Sequence, residues 1–129
     1  MKPQAILKKK YTFINKKKEN TLYRNMETTV VPLSKYLTNK KIDSIDFLKI
    51  DTEGYELNIL MGLKNDIRNV KIIFFEHHYD NMINKNYTFA DIHSLLINNN
   101  FKKIYKSKMP FRKTFEYIYI NEHLEKKNQ

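Results

Sequence analysis

Residues 45–63 read IDFLKIDTEGYELNILMGL, and a second apolar run follows at 70–78, VKIIFFEHH. The first stretch predicts a strand over Ile45 to Ile50, a small acidic turn (Asp51, Thr52, Glu53, Gly54) and an amphipathic helix opening directly from it. The second predicts another strand, ending in Glu76, His77 and His78. Two strands joined by one helix make a βαβ unit, whose right-handed crossover sets the strands parallel with their carboxyl ends at one edge of the sheet. Ligand sites of open α/β sheets lie at that edge.

Val70, Ile72, Ile73, Phe74 and Phe75 form a nearly continuous apolar run, which predicts a strand covered by helices on both faces. The helix takes its apolar side from Leu57, Leu60 and Met61, widened by Ile59 and Leu63. Glu53 and Glu56 fall at its start, where the macrodipole favours negative charge. Gly54 permits a sharp turn, and Gly62 is expected near the helix end or in close packing on the sheet.

These residues resemble the FkbM-type methyltransferases, in which a strand ending K-I-D is followed by an E-G-x-E helix start, a leucine-glycine pair and a strand ending in glutamate. Lys49, Asp51, Glu53, Gly54, Glu56, Leu60, Gly62 and Glu76 stand at the expected places. The resemblance spans roughly residues 29 to 122 and implies the C-terminal half of a Rossmann-like class I methyltransferase sheet: a parallel βαβ unit, then a helix and an antiparallel hairpin. It also implies methyl transfer from S-adenosylmethionine to a hydroxyl of a glycan or natural product. The family's glycine-rich cofactor turn has no counterpart in residues 1–44, which contain no glycine, so the cofactor-binding residues are unassigned and an incomplete site is expected. Leu33-Ser34 stands where many members carry Leu-Asp.

Read from the residues alone, Asp51 and Lys49 form a structural ion pair on one face of the strand; the resemblance implies that Asp51 orients or deprotonates the acceptor hydroxyl. Glu53, in the turn, is the second catalytic candidate. Glu56 needs no role beyond the helix dipole. Glu76 is expected beside Asp51 at neighbouring-strand spacing, and Lys49, Glu76 and His78 are the substrate-binding candidates. Strand alternation turns His77 away from Glu76 and His78. Asp, Glu and His would suit a hard or borderline cation, but no tight ligand motif occurs and no metal site is assigned.

The 129 residues suffice for one domain with a real core. Without cysteine there is neither a disulfide nor a thiolate metal site. No apolar run is long enough for a membrane span or a signal-peptide core, and a cytoplasmic chain is expected. Residues 1–41 carry eleven Lys or Arg against two Glu, a net +9, whereas residues 42–129 carry thirteen basic against twelve acidic residues. The chain therefore divides into a basic segment (1–41), a partial methyltransferase-like domain (42–122) and a tail (123–129). The basic segment suits nucleic acid, anionic lipid or an acidic glycan, although lysine runs are commonly only solvated and no nucleic-acid-binding motif is present. An inactive fragment and a basic binding module are the alternatives to an enzyme.

Within the basic segment, Tyr11 to Ile14 reads as an edge element and Thr28 to Val31 as a second short run. Pro32 precedes one or two helical turns with Ser34 or Thr29 near their start. Beyond the second core strand, Tyr79 to Tyr87 reads as a polar loop and Thr88 as the N-cap of a helix carrying Phe89, Ile92, Leu95 and Leu96. Phe101 to Lys106 and Thr114 to Ile120 form a hairpin around Met109-Pro110-Phe111. The resemblance further implies that the first core strand is a sheet edge, open to self-association.

Overall fold

The computed structural model describes residues 29–80 and 82–125. The chain divides into two units, Met1–Val31 and Pro32–Gln129. Of the first, only the irregular Thr29 to Val31 is described, so the expected Tyr11 to Ile14 element lies outside the described residues. The second unit contains α1 (Leu33–Lys40), β1 (Ile45–Ile50), α2 (Glu56–Leu63), a 3-10 helix (Lys64–Asn69), β2 (Val70–His78), α3 (Phe89–Asn98), β3 (Phe101–Lys108), β4 (Thr114–Asn121) and α4 (Glu122–Glu125).

The four strands form one sheet in the order β1-β2-β4-β3. β1 and β2 are parallel, with Ile45 opposite Val70 and Ile50 opposite Phe75. β4 runs antiparallel to both β2 and β3. This is the mixed α/β arrangement expected, with a parallel βαβ unit followed by a helix and a hairpin. Both hairpin strands run slightly beyond their expected ends.

The core lies on one face of the sheet. Ile50, Ile73, Phe75, Tyr117 and Tyr119 are buried there with Leu60 and Leu63 of α2 and Ile92 and Leu96 of α3. Each such side chain, fully buried, stabilises by about 1.5–3 kcal/mol relative to exposure. α3 is fixed at its start by a capping box: Thr88 N and Oγ1 both donate to Asp91 Oδ2, at 2.7 and 2.8 Å.

The opposite face corrects an expectation. Phe47, Ile72, Phe74, Ile118 and Ile120 lie on it, outside the core cluster, and Phe47 is 54 % exposed. Among the described residues no helix covers this face, so β2 is covered on one side only. A continuous apolar run cannot distinguish a strand between two helix layers from one whose second face is apolar yet open.

Smaller differences have local causes. Met61, expected on the apolar side of α2, is exposed, because the buried stripe runs Glu56, Leu60, Leu63 and on to Ile67. Glu53 sits at φ 52° in the turn, where the acidic turn was expected, and α2 begins at Glu56. Gly62 lies near the end of α2, the first of its two expected places, and a Cβ on it would approach the amide of Leu33 at 3.7 Å, so it faces α1 rather than the sheet. Ser34 lies in the first turn of α1, as expected, and Pro32 is the N-cap residue. The start of the expected tail is the short helix α4.

Candidate functional site

The turn between β1 and α2 is built around a buried carboxylate. Glu56 is only 2 % exposed. Its Oε1 accepts from Thr52 N (3.2 Å), Thr52 Oγ1 (3.1 Å) and Gly54 N (3.1 Å). Its Oε2 accepts from the hydroxyl of Tyr87, at the far end of the following loop. Burial alone would raise the Glu56 pKa, but Tyr87, the backbone amides of Glu56 and Gly54, and Thr52 more than offset it and hold it below the usual value. The Tyr87 phenol is pushed up, first by burial and then by this bond. Glu56 therefore does more than complement a helix dipole: it ties the acidic turn to the Tyr79–Tyr87 loop. Its position three to four residues before Leu60 on the buried stripe was the sequence signal for this.

Gly54, at φ 97°, completes the turn. A Cβ there would lie 2.5 Å from Ile83 Cγ2 and 3.2 Å from Asn84 O. The same loop is thus packed directly on the glycine.

With the turn fixed, the candidate side chains converge on the open face at the carboxyl edge of β1 and β2. Lys49 Nζ lies 3.3 Å from Asp51 Oδ2, with both side chains about half exposed, and 5.8 Å above the ring of Phe74. The expected ion pair is present. The register that sets Ile50 opposite Phe75 brings Asp51 level with Glu76. Glu76 is half-buried, and its pKa is raised by burial first, then by Asp51 and Glu116; His78 opposes the shift and Glu53 adds to it. The two carboxylates thus sense each other, as neighbouring-strand spacing requires.

His78 is buried at the end of β2. Its Nδ1 shares a 2.9 Å hydrogen bond with Thr114 Oγ1, and its Nε2 lies 3.4 Å from Glu53 Oε2. Lys49, Asp51, Glu53, Glu76 and His78 are therefore all at one edge. Thr114, which fixes the His78 ring, and Glu56 with Tyr87, which fix the turn, are supporting residues the sequence reading left out. Thr114 had no local signal, because its contact with His78 arises from the β2–β4 pairing.

His77 points the other way, as alternation requires. It is 2 % exposed and packs against the rings of Tyr79, Tyr87 and Phe89 at 4.8, 5.9 and 5.8 Å. Burial, with Lys85 and His78 adding and Glu56 opposing, lowers its pKa to about 4. Its Nδ1 has no hydrogen-bond partner. Among the described residues no group of three or more His, Cys, Asp or Glu is arranged to hold a metal ion.

Chemically, this edge offers carboxylates that accept hydrogen bonds from hydroxyls or pair with a cation, one lysine that partly neutralises them, and an imidazole held in place from both sides. Fold and edge together define a mixed α/β protein with an acidic site at the carboxyl end of a parallel strand pair. The sequence matches the Methyltransferase FkbM domain over residues 7–103. The chain belongs to this family. The matched span takes in β1, the acidic turn, α2, β2 and α3. No curated protein matches the chain.

Proposed function

We propose that this chain works on the acceptor side of a methyl transfer, from S-adenosylmethionine to a hydroxyl of a glycan or natural product, within the C-terminal half of a Rossmann-like class I sheet. The observation that carries the reading is the convergence of Asp51, Glu53, Glu76 and His78 at the carboxyl edge of β1 and β2. The strand order β1-β2-β4-β3, with β4 antiparallel, supports the architecture. The second sheet face and the edge of β1, which no described element covers, are where further elements or a second copy would complete it.

The residues present fit the cofactor only in part. A sulfonium or ammonium cation suits Asp51, Glu53 and Glu76. A nucleoside needs a cradle, and the bare backbone at Gly54 is filled by Ile83 and Asn84. Among the described residues Gly54 offers no such cradle.

The chain's own residues act on the acceptor. Glu53 accepts hydrogen bonds from its hydroxyls, His78 accepts from or donates to them, and the bond shared with Thr114 keeps the imidazole oriented for this. Lys49 pairs with Asp51. Asp51 and Glu76, the latter with its proton affinity raised by burial and by Asp51, are the groups placed to take the hydroxyl proton as its oxygen becomes nucleophilic. The Glu56–Tyr87 tie keeps the turn in register with β2, which is the positioning on which such a displacement depends.

Calorimetric titration of S-adenosylmethionine, paired with transfer of labelled methyl to hydroxylated sugars, tests the reading. Micromolar binding, about −8 kcal/mol, with transfer lost in Asp51→Asn and in Glu76→Gln, is the expected result. A folded chain that binds no S-adenosylmethionine would overturn the activity for this chain alone.

A further inference from the structure

Charge in the second unit is segregated in a way the carboxylate site does not use. Residues 101–113, FKKIYKSKMPFRK, hold six basic residues and no acidic one. They form β3 and the turn into β4. At the tip Phe111 is fully exposed, at 106 % of its reference surface, and its backbone is left-handed at φ 61°. A bulky residue is unfavourable there, whereas glycine takes that conformation freely. The turn is nonetheless anchored: Met109 N donates to Thr114 O at 2.9 Å, and Tyr79 N donates to Lys113 O at 2.8 Å. The ring is thus held outward on a fixed base.

Around it, Lys106, Lys108, Arg112 and Lys113 form no ion pair among the described residues. Lys106 lies over the rings of Phe115 and Tyr117; Lys108, Arg112 and Lys113 are exposed. An apolar point, Met109-Pro110-Phe111, behind which stands a collar of cations, matches a bilayer surface, where aromatic rings settle at headgroup depth and cations meet anionic phosphates. Single-stranded nucleic acid is bound instead along grooves carrying a succession of stacking rings, and the tip presents one.

We propose that the tip of the β3–β4 hairpin is a membrane-docking point, inserting Phe111 into the interface of an anionic bilayer and setting Lys108, Arg112 and Lys113 on lipid headgroups. Because Thr114 pairs with His78, the tip leaves the sheet at the same edge as the carboxylate site. Docking therefore turns that edge toward the bilayer. On the methyl-transfer reading, and only on it, the acceptor is then a hydroxyl displayed at a membrane surface.

The test needs a local readout, because residues 1–41 attract anionic vesicles by charge alone. The chain has no tryptophan, so Phe111→Trp places a single reporter at the tip and Phe47→Trp a control on the open sheet face. With vesicles of phosphatidylcholine and phosphatidylserine, the tip reporter is expected to shift to the blue and to be quenched by brominated acyl chains, and the control to do neither. Arg112→Gln with Lys113→Gln should weaken the response about thirtyfold, at roughly one lysine or arginine's electrostatic share each. A tip reporter whose emission stays water-like while the chain sediments with vesicles would overturn the proposal. So would one that responds to oligothymidylate and not to vesicles. Neither readout involves methyl transfer, so this proposal and the enzymatic one fail separately.

Discussion

Phe74 and Phe75 are neighbours in β2 in unlike surroundings. Phe75 is fully buried, stacked between Tyr117 and Tyr119 at 5.4 and 5.8 Å under α2 and α3. Phe74 lies on the open face against Phe47 and beneath Lys49. The same alternation separates His77, enclosed by aromatic rings, from His78, which faces the acidic turn. One face of the sheet supplies cohesion and the other carries the candidate site. Phe75→Ala should therefore cost about 3–5 kcal/mol, whereas Phe47→Ala, already half exposed, should cost less than about 1 kcal/mol. Urea denaturation of both variants checks the contrast; equal losses would mean the open face is covered in solution.

Glu56 joins the two sides, because it is buried among core residues yet shapes the turn that carries Asp51 and Glu53. Glu56→Ala leaves the amides of Thr52 and Gly54 and the hydroxyl of Tyr87 without their acceptor, and a loss of about 3 kcal/mol is expected. The folded pKa lies below the unfolded value, so the carboxylate's contribution is present above the unfolded pKa and is lost as pH falls through the folded one. Acid titration of the unfolding midpoint should show this loss in the parent chain and a shallower slope in Glu56→Gln. An unchanged slope would show that Glu56 is not charged in the fold.

Both core strands, the acidic turn, the capped helix and the hairpin were legible in the sequence, because each rests on local periodicity or on a turn residue. The meeting of Asp51 with Glu76 was legible too, from parallel strands that end at one edge of the sheet, whereas the edge position of β1 among the described strands was expected only from the family resemblance. What escaped depended on contacts distant along the chain. Tyr87 reaches Glu56 across 31 residues and Thr114 reaches His78 across 36, and neither pairing leaves a local pattern. Glu56 escaped for a different reason: a familiar role for acids in the first helical turn masked its place on the buried stripe. The second face of the sheet escaped because hydrophobicity alone does not say what, if anything, packs on it.

His77 tests the enclosed side more gently. Its folded pKa of about 4 lies below the unfolded value of 6.5, so the unfolded chain binds the extra proton in that interval. Stability from keeping the ring neutral is full above about pH 6.5 and declines as pH falls toward 4, with a slope of at most about 1.4 kcal/mol per pH unit. His77→Phe removes the proton and the unpartnered Nδ1 together while keeping an aromatic ring among Tyr79, Tyr87 and Phe89. The variant should lose this part of the slope and be at least as stable at pH 5. A slope unchanged in His77→Phe would mean that the ring is not enclosed in solution.

The two glycines give effects of opposite sign. At Gly54 the backbone is left-handed and the space for a Cβ is taken by Ile83 and by the carbonyl of Asn84. Gly54→Ala should cost about 2 kcal/mol, part from backbone strain and part from displacing the loop. Gly62 lies within α2, and its nearest neighbour, the Leu33 amide, is at 3.7 Å from a built Cβ, which is ordinary contact. Gly62→Ala should therefore raise stability by about 0.5–1 kcal/mol through the helix and the unfolded chain. Thermal melts of the two variants resolve the signs. Because Gly54 belongs to the acidic turn and Gly62 only to packing beside α1, Gly54→Ala should also loosen the tie between Asp51, Glu53 and the Tyr87 loop. Faster hydrogen exchange at the Thr52 and Gly54 amides would report that loosening. If Gly62→Ala opened the same amides, the turn would be governed by the seating of α2 as a whole rather than by the glycine at its bend.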